Sequence, residues 1–212
     1  MIDVLLVDDH AVVRAGYRRY LEQSSDIRLV AEAASAEEGY VAYCRTSPQV
    51  SVVDLSMPGA SGVQLISRIM ARDPHARVIA FSMHDERLFI TQALAAGASA
   101  YVTKNSAGEI LIEAVREVHA GRSYLSPDIR ERVTAARPVA PGPDSLSPRE
   151  FEVFRLLAQG LSVAKIADSL NLSQKTVANH QTQIKEKLGV TTTAALVHLA
   201  LGSGLIKHSV PE

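Results

Sequence analysis

The chain has 212 residues, a net charge of −1, 47% hydrophobic and 21% charged side chains, the make-up of one or two globular domains. No apolar run reaches the length of a membrane span, and the chain enters a strand-like run without a basic and apolar leader, so a cytoplasmic protein with no membrane partner is expected. Cys44 is the lone cysteine, which excludes an internal disulfide, and its setting beside Tyr40 and Val41 predicts a packed thiol. Charge is unevenly placed: residues 1–125 carry 12 basic and 15 acidic side chains, residues 145–212 carry 7 and 5. An acidic front and a mildly basic back suit a metal-binding domain joined to a nucleic-acid-binding one.

Taken in order, the first run is Ile2-Asp3-Val4-Leu5-Leu6-Val7, which ends in Asp8-Asp9-His10. A helix over 11–23 follows, with Val12, Val13, Tyr17 and Leu21 expected on one face. A strand over 27–33 leads to a helix capped by Ser35, with Glu37 and Glu38 where the helix dipole favours acids. Val50-Ser51-Val52-Val53-Asp54 reads as a buried strand, and Met57-Pro58-Gly59 forces a turn after it. A helix over 63–72 stops before Pro74. A strand over 77–82 and a helix over 86–96, closed by Gly97, come next. The last pair is a strand over 100–104 and a helix over 107–120, with Ile110, Leu111, Ala114, Val115 and Val118 inward and Gly121 at its end. Five strands alternating with helices predict an α/β fold, a parallel doubly wound sheet in the order 2-1-3-4-5.

Between residues 123 and 144 the texture changes. Pro127, Pro138, Pro141, Gly142 and Pro143 break regular structure, though 128–136 suits a short helix. This segment is expected to link a domain at 1–122 to one at 145–212. The second domain opens with Leu146-Ser147-Pro148-Arg149-Glu150, a cap, a proline near the first helical position and an acid in the first turn. Ser162 caps a second helix to Leu170, Asn171-Leu172 makes a tight turn, and Ser173 caps a third helix to Leu188. A fourth runs over 192–201. Four helices with a tight turn before a polar third one fit a helix-turn-helix, though periodicity alone also fits any small bundle.

The chemistry gathers at strand ends. An Asp ending a strand is, taken alone, more often a cap or turn residue. Parallel strands would however bring Asp8, Asp9 and Asp54 into one crevice, where ligands bind in open sheets. Three carboxylates there repel unless a cation joins them, and oxygen donors with open water positions suit Mg²⁺. The next strands end in Ser82 and, after Tyr101, in Lys104. Acids, a hydroxyl and an amine so placed can move a phosphoryl group onto a carboxylate.

Asp8-Asp9, Asp54 with Met57-Pro58-Gly59, Ser82 and Lys104 resemble the receiver domain of two-component response regulators, in order, over about the first 120 residues. The resemblance implies that Asp54 is the phosphoacceptor. It implies Mg²⁺ held by Asp9, Asp54 and the Ser56 backbone carbonyl, with Asp8 assisting. Lys104 would pair with the phosphoryl group, and Ser82 and Tyr101 would hold the switch positions.

Leu146-Ser147-Pro148-Arg149-Glu150, Gly160-Leu161-Ser162, Ile166-Ala167, Leu172-Ser173, Lys175-Thr176-Val177, Asn179-His180 and Lys187-Leu188-Gly189-Val190 resemble the LuxR-type DNA-binding domain. Together the two halves resemble a NarL/FixJ-type response regulator. That implies a transcription regulator, not an enzyme, with DNA, a sensor histidine kinase and a second copy of itself as partners. Ala178, Asn179 and Thr182 would face base edges; Lys175, Thr176 and Lys185 would hold phosphates. Val163, Lys165, Ala178 and Thr193 depart from the family's frequent residues, which bears on the target sequence.

Several residues invite a larger reading than their setting supports. His10 follows the acids, but Mg²⁺ prefers oxygen, so a helix-start role is expected. His84 reads as a loop residue near the switch and His180 as a packing or phosphate-facing one. Gly59 and Gly62 read as turn glycines. A phosphohydrolase with an aspartyl-phosphate intermediate is the enzyme alternative, but its usual second acid two residues beyond the nucleophile is here Ser56. A regulator working without phosphate is a third reading, opposed by the intact acid, serine and lysine set.

Overall fold

A computed structural model describes residues 1–58, 60–106, 108–135, 143–203 and 205–206. Gly59, expected in a turn, residues 136–142 of the expected linker, and the chain after 206 lie outside the described residues. Contacts divide the chain into two compact units, Met1–Asp85 with Ala93–Ala136 and Glu86–Gln92 with Arg137–Glu212.

In the first unit β1 (Ile2–Val7), β2 (Ile27–Ala33), β3 (Val50–Asp54), β4 (Val78–Ser82) and β5 (Ala100–Thr103) are all parallel. Between them in the chain come the helices α1 (Ala11–Glu22), α2 (Ala36–Thr46), α3 (Gly62–Arg72), α4 (Arg87–Ala95, whose stretch up to Gln92 is assigned to the second unit) and α5 (Gly108–His119). β3, β4 and β5 are buried at every position, as central strands covered on both faces must be. Their Val and Ile side chains each contribute about 1.5–3 kcal/mol by leaving water. Leu111, Ala114, Val115 and Val118 of α5 complete the core on one face, joined in part by Tyr17 and Ile110.

The sheet has six strands, not the expected five. β6 (Tyr124–Leu125) extends it, giving the order β2-β1-β3-β4-β5-β6. Two residues are too short to carry a strand pattern; β6 forms because β5 offers an open edge and Tyr124 is buried against it. α6 (Pro127–Ala135) follows, close to the expected short helix.

Three further expectations need correction. Val12 is 86% exposed, because Val13, Tyr17 and Leu21 form the i, i+4, i+8 stripe and Val12 is about 100° away from it. Cys44 is exposed, not packed: α2 turns Gly39, Ala42 and Tyr43 inward, and position 44 falls outside that stripe. Gly62 is the first residue of α3, not a turn residue. A Cβ there would lie 1.9 Å from the carbonyl oxygen of Asp54, so glycine is required by close approach of two backbones.

The second unit contains α7 (Pro148–Ala158), α8 (Val163–Leu170), α9 (Gln174–Leu188) and α10 (Thr193–Gly202). Every predicted cap there is formed. Ser147 and Glu150 close a reciprocal capping box on α7, and Ser162 and Ser173 each accept a backbone N–H three residues on; Thr192, expected as the first residue of the last helix, caps it in the same way. Between α8 and α9, Asn171 adopts the left-handed conformation at φ 53°, and the Leu172 N–H donates to Ala167 O at 2.9 Å. The left-handed residue and that bond end α8, and Ser173 caps α9 two residues on.

Candidate functional site

Strand register assembles the acidic crevice. Val7 pairs with Val53, so the residues that follow, Asp8 and Asp54, leave their strands side by side. Ser82 pairs with Thr103, which puts Lys104 one step beyond the strand end on the same edge. Asp8 and Asp54 are each 1% exposed. The Lys104 ammonium sits between them, 2.6 Å from Asp8 Oδ2 and 2.7 Å from Asp54 Oδ2. The Ser56 N–H donates to Asp54 Oδ1 at 3.0 Å, and the His10 N–H to Asp8 Oδ1 at 2.8 Å.

Burial pushes the Asp54 carboxyl above its ordinary value, although Lys104 and the Ser56 N–H pull it down. Burial works the other way on Lys104, but its contacts with Asp54 and Asp8 outweigh that and the ammonium is held above its usual value. Desolvation thus works against the Asp54 carboxylate, while the ammonium beside it works in its favour.

Asp8, Asp9, His10 and Asp54 each offer one ligand atom, all within 4.8 Å of one another. Asp9 Oδ1 is enclosed yet accepts no hydrogen bond, with His10 Nδ1 at 2.9 Å. An oxygen-rich donor set with an unsatisfied carboxylate oxygen fits a hard divalent cation. His10 occupies the N-cap position of α1 without capping it and remains largely exposed.

The switch candidates meet at one backbone segment. Ser82 is fully buried, and its Oγ accepts the His84 N–H at 3.1 Å. Tyr101 is fully buried too, and its hydroxyl donates to His84 O at 2.8 Å. The aromatic ring is therefore already turned inward.

Two contributors escaped the sequence reading. Arg14 Nη1 donates to Asp8 O, and Tyr17 Oη donates to Lys104 O at 3.1 Å. Both lie on α1 at helical spacing that reads as packing; nothing in the pattern shows that their polar tips reach the crevice.

In the second unit, α9 buries Val177 and Ile184, seven residues apart, and half-buries His180, whose Nδ1 has no hydrogen-bond partner. Lys175, Ala178, Asn179 and Thr182 are exposed, while Thr176 and Lys185 are half-buried. Thr176 is engaged in the cap, its Oγ1 2.8 Å from Ser173 Oγ and its N–H on that same oxygen. Thr182 Oγ1 donates back to Ala178 O at 3.2 Å. α9 is tied to α7 by Lys187 Nζ on Glu150 Oε2 at 2.7 Å and to α10 by Gln181 Nε2 on Thr193 Oγ1 at 3.2 Å.

Both halves of the chain match known families. Residues 4–116 match the response regulator receiver domain, and residues 144–200 match the luxR family of bacterial regulatory proteins. The response regulator UvrY of Escherichia coli K12 is 35% identical over 214 residues, covering 97% of this chain and 96% of that protein. The transcriptional regulatory protein UhpA of Salmonella typhimurium is 39% identical over 198 residues, covering 93% and 97%. Among solved structures, RcsB of Salmonella enterica serovar Typhimurium, bound to the promoter rprA with the phosphomimetic BeF3⁻, is 29% identical with a TM-score of 0.74, covering 93% and 97%. A receiver fold with its acids and lysine in register, followed by a LuxR-type helix-turn-helix, in a chain covered to 97% by such a relative, makes this protein a member of the response regulators of two-component systems, a DNA-binding transcriptional regulator.

Proposed function

We propose that a partner histidine kinase supplies a phosphoryl group to Asp54, and that this controls binding of α9 to DNA. The observation that carries the reading is the Lys104 ammonium lodged between two buried carboxylates at the strand ends. A carboxylate in a crevice, with a cation in contact, is a nucleophile whose product charge is already partly neutralised. Asp9, Asp54 and the Ser56 backbone carbonyl would hold Mg²⁺, with Asp8 assisting; the bound ion would neutralise phosphoryl oxygens. Lys104 would exchange its contact with Asp54 Oδ2 for a phosphoryl oxygen. Ser82 and Tyr101 would pass the change outward through His84, which both already touch.

In this reading residues 1–122 are the receiver, 123–144 the connection and 145–212 the DNA-binding domain. The protein acts in the cytoplasm by binding rather than turnover, as a phosphorylation-driven homodimer on two-fold DNA sites. Among the described residues no helix is long and apolar enough to cross a membrane. On α9, Ala178, Asn179 and Thr182 face the bases while Lys175, Thr176 and Lys185 hold phosphates. The test is mass measurement of intact protein after incubation with a small phosphodonor and Mg²⁺. Wild type is expected to gain one phosphoryl group and Asp54→Ala none; equal uptake by the variant overturns the reading.

A further inference from the structure

We infer that Tyr17 is a positioning residue for phosphoryl capture, holding the backbone of Lys104 from α1 so that its ammonium meets the group carried by Asp54. The inference rests on Asp54 being the phosphoacceptor and adds a residue to that site. The contact joins positions 87 residues apart and reaches a cation in contact with both buried acids.

Lys104 follows β5 directly, one residue past the last pair of the β4–β5 register. Its N–H donates to Ser82 O at 2.8 Å, and its carbonyl accepts the Tyr17 hydroxyl at 3.1 Å. With both flanking peptide groups held, the Cα–Cβ bond has one direction, into the crevice. A lysine stem is otherwise flexible, and each rotor left free lowers the fraction of time the ammonium spends at one oxygen.

The ring contributes a wall as well as a donor. Tyr17 packs edge-on against Phe81, with centroids 4.6 Å apart at 88°. The Lys104 ammonium lies 5.7 Å from the same Phe81 ring. Tyr17, Phe81 and Lys104 are thus one packed set. Burial raises the Tyr17 phenol above its ordinary value, more than Lys104 lowers it, so the hydroxyl keeps its proton and remains a donor throughout the physiological range. Tyr17→Phe would remove the donor and leave the wall.

The experiment is a double-mutant cycle on the equilibrium binding of beryllofluoride with Mg²⁺, followed by amide shifts of the full chain. Tyr17→Phe is expected to weaken binding by about 2- to 10-fold, the range one neutral hydrogen bond supports. In a Lys104→Ala background the same substitution should have no effect, because there is no ammonium left to position. Tyr17→Leu, which also loses the hydroxyl, should show the same dependence on Lys104 and guards against a defect particular to Phe. Unchanged affinity in Tyr17→Phe overturns the inference. So does an equal loss with and without Lys104, which would mark a general structural role. Asp54→Asn is the separate control: if it binds beryllofluoride as wild type does, the proposed function falls and this inference with it.

Discussion

The acidic crevice and the exposed face of α9 are built on opposite terms. In the crevice Asp8 and Asp54 are 1% exposed and Lys104 is held at 2.6 and 2.7 Å, so each charge depends on its neighbours. On α9 Lys175, Ala178 and Asn179 stand in solvent and owe the fold little. Charges in a buried set are coupled, so a change in one is felt by the others, whereas an exposed side chain can change at almost no folding cost. This accounts for where the chain departs from its family's frequent residues. Val163, Lys165, Ala178 and Thr193 all lie in the DNA-binding half, and the crevice departs nowhere. Residues of the crevice are tied to one another, and those on the exposed face of α9 are tied to little else in the fold.

The comparison is strained hardest by Gly62→Ala. The added Cβ would meet the Asp54 carbonyl oxygen at 1.9 Å and the Leu55 Cα at 2.7 Å, both backbone atoms that cannot step aside. A cost of about 3 kcal/mol or more is expected, at the top of the overpacking range, with a matching drop in denaturant midpoint. Phosphate uptake should fall in the same variant, since the strand end that carries Asp54 must shift. A variant as stable as wild type would mean the crevice is looser than its packing indicates.

Asn179→Ala probes the other region. Stability should be unchanged, because the side chain is exposed. If, as proposed, Asn179 reads a base, binding to the best site should weaken by about 1–3 kcal/mol and preference should relax at one base pair. Selection of sites from random DNA reads this directly. The same site selected with the same stringency would place the reading face elsewhere on α9.

Asp54→Asn separates charge from shape. The Asp54 carboxyl has a raised value, first because of burial, so the folded state binds that proton more tightly than the unfolded chain does. Folding is therefore favoured by this group below its ordinary value of 3.8, and the advantage is lost as pH rises through the folded value. The neutral isostere should then stabilise the protein by about 0.5–2 kcal/mol at pH 7, the usual range for relieving a functional site. The gain should shrink on acidification and vanish below 3.8. Thermal melts of both proteins across pH test the sign. A destabilised variant at pH 7 would mean that the Lys104 contact outweighs the burial.

Much of the crevice was legible because parallel strands end on one edge, so acids that follow apolar runs must meet. What escaped was everything set by a side-chain tip or a backbone approach. Tyr17 fits the Val13 and Leu21 stripe as an apolar ring, and its hydroxyl's reach to Lys104 O has no periodic signature. Gly62 reads as any turn glycine until the Asp54 carbonyl is seen beside it. Val12 failed for the opposite reason, an apolar residue at a helix start with nothing to cover it. In the second unit the caps at Ser147, Ser162 and Ser173 were readable from residue type alone, since capping is local. That Thr182 Oγ1 returns to Ala178 O was not, because a hydroxyl on a helix has both choices.

The smallest effect is expected from Lys185→Ala, and it sharpens the contrast within α9 itself. Lys185 is half-buried and lies in the last turn, where a cation also suits the helix dipole. Two turns of helix separate it from Ala178, so it is not placed to read the same bases. If it holds a phosphate, its loss should weaken binding equally on a selected site and on random duplex. The slope of log affinity against log salt should fall by about one, the contribution of one neutralised phosphate. The site selected from random DNA should be unchanged, the opposite of Asn179→Ala. Titration of both duplexes across a salt series distinguishes the outcomes. An unchanged slope would assign Lys185 to the helix terminus rather than to DNA, and loss of preference on the selected site alone would make it a reader of bases.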